Sequence, residues 1–318
     1  MNNSKYTVLL PAFKAKFFSQ ALESIKNQTY QDFKCIVSDD CSPENLKEIY
    51  DEIVGHDPRF CYRRNEENMG SKSLVSHWNL LVDKCDTEFL IMASDDDVYE
   101  SVFLEEIETL TNKYPHVGLY RGRVKKINGN NELIEQDFLL EEYMTQLEFL
   151  HRFFCGKLLK CVSHYVFKTE KLKENNGFMD FPLGWRSDDA TAILLSANGV
   201  CNTSSIVFSF RSSGINISDM TNLQKEKETA DNMYLHFIKD KISTFSFDSN
   251  NLYEKTLYTK LCSFLCSCLY HRALISSYKD MKMYYEVLDS MHFFPRLLSK
   301  VHFFLSWVRF KGDNLIRF

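Results

Sequence analysis

No hydrophobic stretch in these 318 residues approaches the 18 or so needed to cross a bilayer, so no transmembrane helix is expected. Met1-Asn2-Asn3-Ser4-Lys5 runs straight into an apolar segment and lacks a signal-peptide core. There is no Cys-x-x-Cys pair, although the chain has ten cysteines. The cluster Cys262, Cys266 and Cys268 sits in an apolar helical pattern without a histidine at zinc-site spacing, so ordinary packing in a reducing cytoplasm is expected. No Gly-x-Gly-x-x-Gly follows the first apolar run and no Gly-x-x-x-x-Gly-Lys occurs, which disfavours dinucleotide redox chemistry and P-loop phosphate binding. Basic charge is not in excess. A net charge of −5 argues against general nucleic-acid binding. Internal repeats and low-complexity tracts are absent too.

What is present is an ordinary globular composition, 44% apolar and 25% charged, with room for one large domain and an appendage. The N-terminal hundred residues alternate short apolar runs with helical periodicity. Tyr6–Leu10, Phe33–Val37, Phe60–Arg64 and Phe89–Met92 read as strands. The segments near 18–25, from Pro43 to about Val54, Lys72–Lys84 and Ser101–Lys113 read as helices, with Pro43 opening the second at its favoured first-turn position. This alternation implies an α/β fold with a mostly parallel central sheet flanked by helices.

Two of those strands end in carboxylates, Asp39-Asp40 and Asp95-Asp96-Asp97, at the sheet edge where α/β proteins bind ligands. Three adjacent carboxylates repel one another unless something positive sits among them. Their oxygens are hard ligands, which suggests Mg²⁺ or Mn²⁺. The competing reading is an acidic loop with an N-cap before the next helix. A third acidic pair, Asp188-Asp189, precedes the apolar helical run Ala190–Ala197 and reads either as a catalytic base or as that helix's cap.

Val8-Leu9-Leu10-Pro11-Ala12-Phe13, followed by Ala21-Leu22-Glu23-Ser24-Ile25-x-x-Gln28-Thr29-Tyr30-x-x-Phe33, resembles the N-terminal signature of family 2 glycosyltransferases. Ser38-Asp39-Asp40-Cys41-Ser42, Asn65-x-x-Asn68-x-Gly70 and Ser94-Asp95-Asp96-Asp97 continue it in order. Val166-Phe167-Lys168 and Asn176-Gly177-Phe178 then precede Ser187-Asp188-Asp189, and Phe210-Arg211 with Gly214-x-Asn216-Ile217-Ser218 closes the match near residue 220. Singly these motifs are weak; six in order are strong. Lys14 stands where the family often has Asn, Ser94 where it often has the first Asp of its metal motif, and Asp188 where Glu is usual. The usual His of the last block is missing.

The resemblance implies a GT-A type, Rossmann-like nucleotide-sugar domain over residues 1–220, with about 1–100 holding the donor and about 101–220 shaping the acceptor site. Residues 221–318 would form a C-terminal helical appendage, with helical periodicity over Glu226–Ile242, Leu252–Ile275 and Tyr278–Met291. The implied reaction is inverting transfer from a nucleoside diphosphate sugar, UDP-sugar foremost, to a hydroxyl of a saccharide or lipid-linked acceptor in surface polysaccharide synthesis. Asp189 would be the base, with Asp188 second. Asp95, Asp96 and Asp97 would hold Mn²⁺ or Mg²⁺ across the leaving diphosphate. Pro11, Ala12, Phe13, Asp40, Asn68, Gly70, Asp95 and Arg211 would line the nucleotide-sugar pocket, Asp40 accepting a hydrogen bond from the base. Trp185 would stack on the acceptor sugar, with partial burial under its loop as the other reading. Arg211 would hold diphosphate or lie at the surface, and His164 reads as structural. A glycosyltransferase-like binding protein without catalysis and a nucleotidyltransferase are the alternatives.

The last segment stands apart. Residues 291–318 carry Arg296, Lys300, Arg309, Lys311 and Arg317 against Asp313, and Leu297, Val301, Phe304, Leu305 and Val308 share a helical stripe. That pattern suits peripheral contact with an anionic membrane at the cytoplasmic face, or a terminal helix docked on protein.

Overall fold

The computed structural model describes residues 4–154, 158–214, 216, 217, 220, 222–242, 247, 248 and 250–261. The expected helix over 252–275 beyond residue 261, the one over 278–291, the Cys262–Cys268 cluster, Ser218 and the basic apolar segment 291–318 lie outside the described residues.

The first four strands are β1 (Tyr6–Ala12), β2 (Phe33–Asp39), β3 (Phe60–Arg64) and β4 (Phe89–Met92), and helices α1 (Phe18–Lys26), α2 (Leu46–Val54) and α3 (Gly70–Asp83) connect them. They pair in parallel in the order β3-β2-β1-β4. β1 and β4 are continuous apolar runs because helices cover both faces of the sheet, and Leu9, Leu10, Leu90, Ile91 and Met92 are wholly buried. Each such side chain contributes about 1.5–3 kcal/mol on leaving water. α1 turns Phe18, Ala21, Leu22 and Ile25 onto that core. α2 starts later than expected. Its N-cap is Asn45, whose side chain accepts the Glu48 N–H, so Pro43 lies in the preceding turn and not in the helix.

The second half mixes directions. β5 (Val98–Tyr99), α4 (Phe103–Lys113), β6 (Leu119–Asn128), β7 (Leu133–Gln136), β8 (Tyr143–Met144) and α5 (Gln146–Phe154) are followed by β9 (Tyr165–Lys168), α6 (Thr169–Glu174), α7 (Ser187–Leu195), β10 (Val200–Ser212) and α8 (Gln224–Ile242). The sheet continues β4-β9-β6-β10-β5, with β9 antiparallel to both neighbours and β6 parallel to β10. β7 and β8 attach antiparallel to β6 and β10.

Two registers position the site. Ala12 pairs with Asp39, so β1 and β2 end together, whereas Met92 pairs with Leu9, so β4 stops three residues short. The acidic loop after β4 therefore passes under the end of β1. β5 then pairs antiparallel with β10, Tyr99 opposite Phe208, which brings the backbone of Arg211 against the same loop.

By contacts, residues 1–149 with 157–231 form one compact unit and residues 150–156 with 232–318 a second. Everything in the next section belongs to the first. In the second, residues 252–261 are helical and Phe247 stacks on Tyr258 with ring centres 4.2 Å apart. Among the described residues no helix is long and apolar enough to cross a membrane.

Candidate active site

Asp95, Asp96 and Asp97 are all buried, and each of their carboxylate oxygens has a partner within the chain. Asp95 Oδ2 accepts the backbone N–H groups of Phe13 (2.8 Å) and Lys14 (2.7 Å), pinning the loop after β1. Its Oδ1 faces the Lys14 ammonium at 3.6 Å. Asp96 Oδ2 meets the same ammonium at 2.9 Å, and its Oδ1 accepts the Ser94 hydroxyl at 2.6 Å. Asp97 Oδ1 accepts the Arg211 N–H at 2.9 Å, and its Oδ2 lies 2.9 Å from Ser94 Oγ.

A hydroxyl carries one proton, so both Ser94 contacts are hydrogen bonds only when one of the two carboxyls, Asp96 or Asp97, is itself protonated. That agrees with the environment of Asp97: burial, then the charge of Asp96, pushes its carboxyl up to about 7. Burial works against the charge of Lys14, but Asp95 and Asp96 outweigh it and hold the ammonium above the usual lysine range. The positive group that three adjacent carboxylates demand is thus Lys14. A divalent ion needs open oxygens, and in this arrangement these are engaged, Asp96 by Lys14 and Ser94. As they stand, the residues expected to bind Mn²⁺ or Mg²⁺ do not fit one.

Arg211 is neither at the surface nor open to a ligand. It is wholly buried, its guanidinium donating to Asp96 O (2.7 Å), Asn131 Oδ1 (2.7 Å) and Gln20 Oε1 (2.8 Å), and it lies over the Phe17 ring. It braces the acidic loop from behind, and the structure does not support the diphosphate contact expected of it.

Beside this cluster stands the end of β2. Asp40 is buried, and its carboxylate accepts N–H groups from Asn65 (2.8 Å), Met69 (2.9 Å) and Gly70 (2.7 Å), the last two opening α3. A Cβ on Gly70 would lie 2.9 Å from Asp40 Oδ2, so this close approach requires glycine. Asn68 Oδ1 accepts the Ser71 N–H. Asp40, Asn68 and Gly70 therefore build the α3 N-terminus together. Ala12 O accepts the Asp40 N–H at 2.8 Å, and Phe13 O accepts the Ser42 hydroxyl at 2.6 Å, so Pro11, Ala12 and Phe13 line the same edge. Asp39, read in sequence as one of the acidic pair that ends β2 but given no role of its own, is fully buried and holds Tyr62, Arg64 and the Ser42 N–H.

The other carboxylate pair sits in the first turn of α7. The helix begins at Ser187, so Asp188 and Asp189 are inside it and the capping position falls to Arg186, in left-handed conformation. Asp189 is buried with Oδ2 3.1 Å from Arg186 Nη1. Asp188 is half-buried and accepts the Asp189 N–H at 2.9 Å. Burial, and after it the charge of Asp189, pushes the Asp188 carboxyl up to about 7. Trp185 is half-buried, donates to Asp231 Oδ1 at 3.2 Å, and has the Arg186 and Lys227 cations 5.2 and 4.9 Å from its ring centre. His164 is wholly buried. The half-buried Cys161 thiol is pushed up by desolvation and then by the charges of Asp97 and Asp188.

A parallel sheet half ending in buried carboxylates, joined to a mixed half, defines an α/β fold with its acidic loops at the strand ends. The comparisons agree. The pattern described as Glycosyl transferase family 2 matches residues 7–173. TarS of S. aureus shares the fold with a TM-score of 0.61 at 15% identity, over 90% of this chain and 80% of that one. Its complex with UDP-GlcNAc gives 0.58 at 14%, over 90% and 88%. The mannosyltransferase PcManGT of Pyrobaculum calidifontis, in complex with GDP-Man and Mn²⁺, gives 0.52 at 13%, over 97% and 87%. In sequence, the chain is 27% identical over 172 residues to a GalNAc(5)-diNAcBac-PP-undecaprenol beta-1,3-glucosyltransferase of Campylobacter jejuni, covering 54% of this chain and 55% of that one. The chain thus spans about half the length of this curated relative. The fold is of the GT-A type, and the chain belongs to glycosyl transferase family 2.

Proposed function

We propose that this glycosyltransferase moves a sugar, with inversion, from a nucleoside diphosphate sugar to a hydroxyl of a lipid-linked saccharide. The observation that carries the reading is the cluster of buried carboxylates at the strand ends of a family 2 glycosyltransferase fold, with the Lys14 ammonium among them. The UDP-GlcNAc and GDP-Man complexes of the structural neighbours support a nucleotide-sugar donor, with UDP-sugar favoured. The undecaprenol-linked substrate in the curated relative's name supports a lipid-linked acceptor and a place in surface polysaccharide synthesis at the cytoplasmic face of a membrane. Residues 1–220 are the proposed catalytic domain.

In this scheme the edge formed by Pro11, Ala12, Phe13, Asp40, Asn68 and Gly70 holds the nucleotide, and Asp95 fixes the loop after β1 beneath it. Trp185, steadied by Asp231, offers its face to the acceptor. Asp188 takes the acceptor proton. It is the more open member of its pair, and a carboxyl near 7 matches a base working at neutral pH. Asp189, the member expected to be the base, instead holds Arg186. The acceptor oxygen bonds to the anomeric carbon as the phosphate oxygen leaves with its electron pair. The expected Mn²⁺ or Mg²⁺ has no part in this reading.

A screen of UDP- and GDP-sugars by calorimetry, followed by acceptor-dependent release of nucleoside diphosphate, tests the proposal. Saturable binding of one sugar nucleotide and release stimulated by a polyprenyl-diphosphate saccharide are expected. Absence of binding across the panel overturns it.

A further inference from the structure

We propose that the Lys14 ammonium serves as a built-in cation for the donor diphosphate, in the place where a divalent metal would otherwise sit. The inference rests on the functional reading above and concerns how that same site meets phosphate.

Its grounds are geometric. Lys14 lies in the loop directly after β1, and Asp95 fixes the loop's backbone at Phe13 and Lys14, so the side chain leaves from a held point. Its Nζ sits between Asp95 (3.6 Å) and Asp96 (2.9 Å), at the mouth of the acidic cluster. The other donors to the cluster, the Ser94 and Ser163 hydroxyls and the N–H groups of Phe13, Lys14 and Arg211, carry no charge. The Arg211 guanidinium is committed to Asp96 O, Asn131 and Gln20. Asp95 and Asp96 side chains are 8% and 7% exposed, whereas the Lys14 side chain is 34% exposed. Lys14 is therefore the positive group of this cluster that an incoming phosphate can reach. An ammonium has three N–H donors; two face the carboxylates and one remains for a phosphate oxygen.

The consequence for the reaction is definite. When the bond between the anomeric carbon and the phosphate oxygen breaks, the electron pair stays on the nucleoside diphosphate. The new charge is met by Lys14, which is already positioned and needs no ion from solution. The acceptor proton passes to Asp188, so atoms and charge balance without a metal.

The test is calorimetric binding of UDP and GDP to the full chain, in EDTA and in Mn²⁺, for the wild type, Lys14→Ala and Lys14→Arg. The wild type is expected to bind its preferred nucleotide in EDTA, with less than threefold change on adding Mn²⁺. Lys14→Ala should lose about 10–100-fold in EDTA, the effect of one charge-assisted hydrogen bond. With Lys14 gone from Asp96, Mn²⁺ should restore much of that loss. Lys14→Arg keeps the charge and should stay within tenfold of the wild type, which separates loss of the cation from loss of fold. Wild-type binding that appears only with Mn²⁺, or Lys14→Ala binding unchanged in EDTA, overturns the inference and leaves the transferase reading standing. No binding of either nucleotide under any condition overturns both.

Discussion

The two carboxylate groups of the site are treated in opposite ways. Around Asp95, Asp96 and Asp97 every oxygen has a partner, and the partners tie together the loop after β1, β10 and Lys14. Asp188 accepts its neighbour's N–H, sits beside a second carboxylate, and is lifted to about 7, as Asp97 is. Carboxylates tied to backbone N–H groups, a hydroxyl and Lys14 organise their surroundings, even where burial lifts one of them, Asp97, as far as it lifts Asp188. A carboxylate whose charge is costly in its surroundings gains by taking a proton. In the proposed reaction the first group would hold the donor and the second would take the proton, although both are Asp pairs or triplets at element ends.

Substitutions can break this division. The largest effect is expected from Asp188→Asn, which should lower kcat by about 10²–10⁴-fold, the usual contribution of a positioned base, while donor affinity stays within threefold. Steady-state kinetics with calorimetry check it, and equal damage to donor Kd would place Asp188 on the wrong side of the comparison. Asp137 gives a buried carboxylate with no such role. It accepts from Arg121 (2.6 Å), the Val124 N–H (2.9 Å) and the Leu159 N–H (3.0 Å), and Arg121 is wholly buried. Asp137→Ala strands that guanidinium and should cost about 3–5 kcal/mol in denaturant unfolding; a loss below 1 kcal/mol contradicts the pairing. Asp95→Ala removes the acceptor of two backbone N–H groups and should cost about 1–3 kcal/mol while weakening donor binding more than kcat. A selective fall in kcat there would erase the distinction.

Legibility in the sequence followed the same line. The half containing β1 to β4 could be read because its strands are buried on both faces and alternate with helices, which leaves continuous apolar runs. The order of β9, β6 and β10 could not, because it depends on pairing between segments about 40–80 residues apart; β10 also shifts register between Asn202 and Phe208. The acidic strand ends were plain, and so was Lys14 as a departure from its family. That Lys14 neutralises Asp96 was not, since nothing local says where a long flexible side chain ends. Arg211 misled because a guanidinium after a strand reads as a surface or phosphate group until Gln20, Asn131 and Asp96 O are seen around it. Asp39 and Asp137 gave no signal beyond an acidic residue in a strand or loop. Asp188 and Asp189 were found as a pair, and only the packing of Arg186 against one of them separates their roles.

The most direct test of the division is the pH dependence of kcat/KM from about 5.5 to 8.5. Asp188 is raised from an ordinary value of 3.8 to about 7, so the folded state holds its proton more tightly than the unfolded chain does. Stability tied to this group is therefore fully present below about 4 and is lost as pH rises through about 7. Activity must run the other way, because only the ionised carboxylate accepts a proton. The account predicts a limb in kcat/KM that rises through about pH 7 in the wild type and is absent from the residual activity of Asp188→Asn, whose thermal stability should fall less across that range, the remaining fall belonging to Asp97, which burial also lifts to about 7. A rising limb that survives unchanged in Asp188→Asn would contradict it.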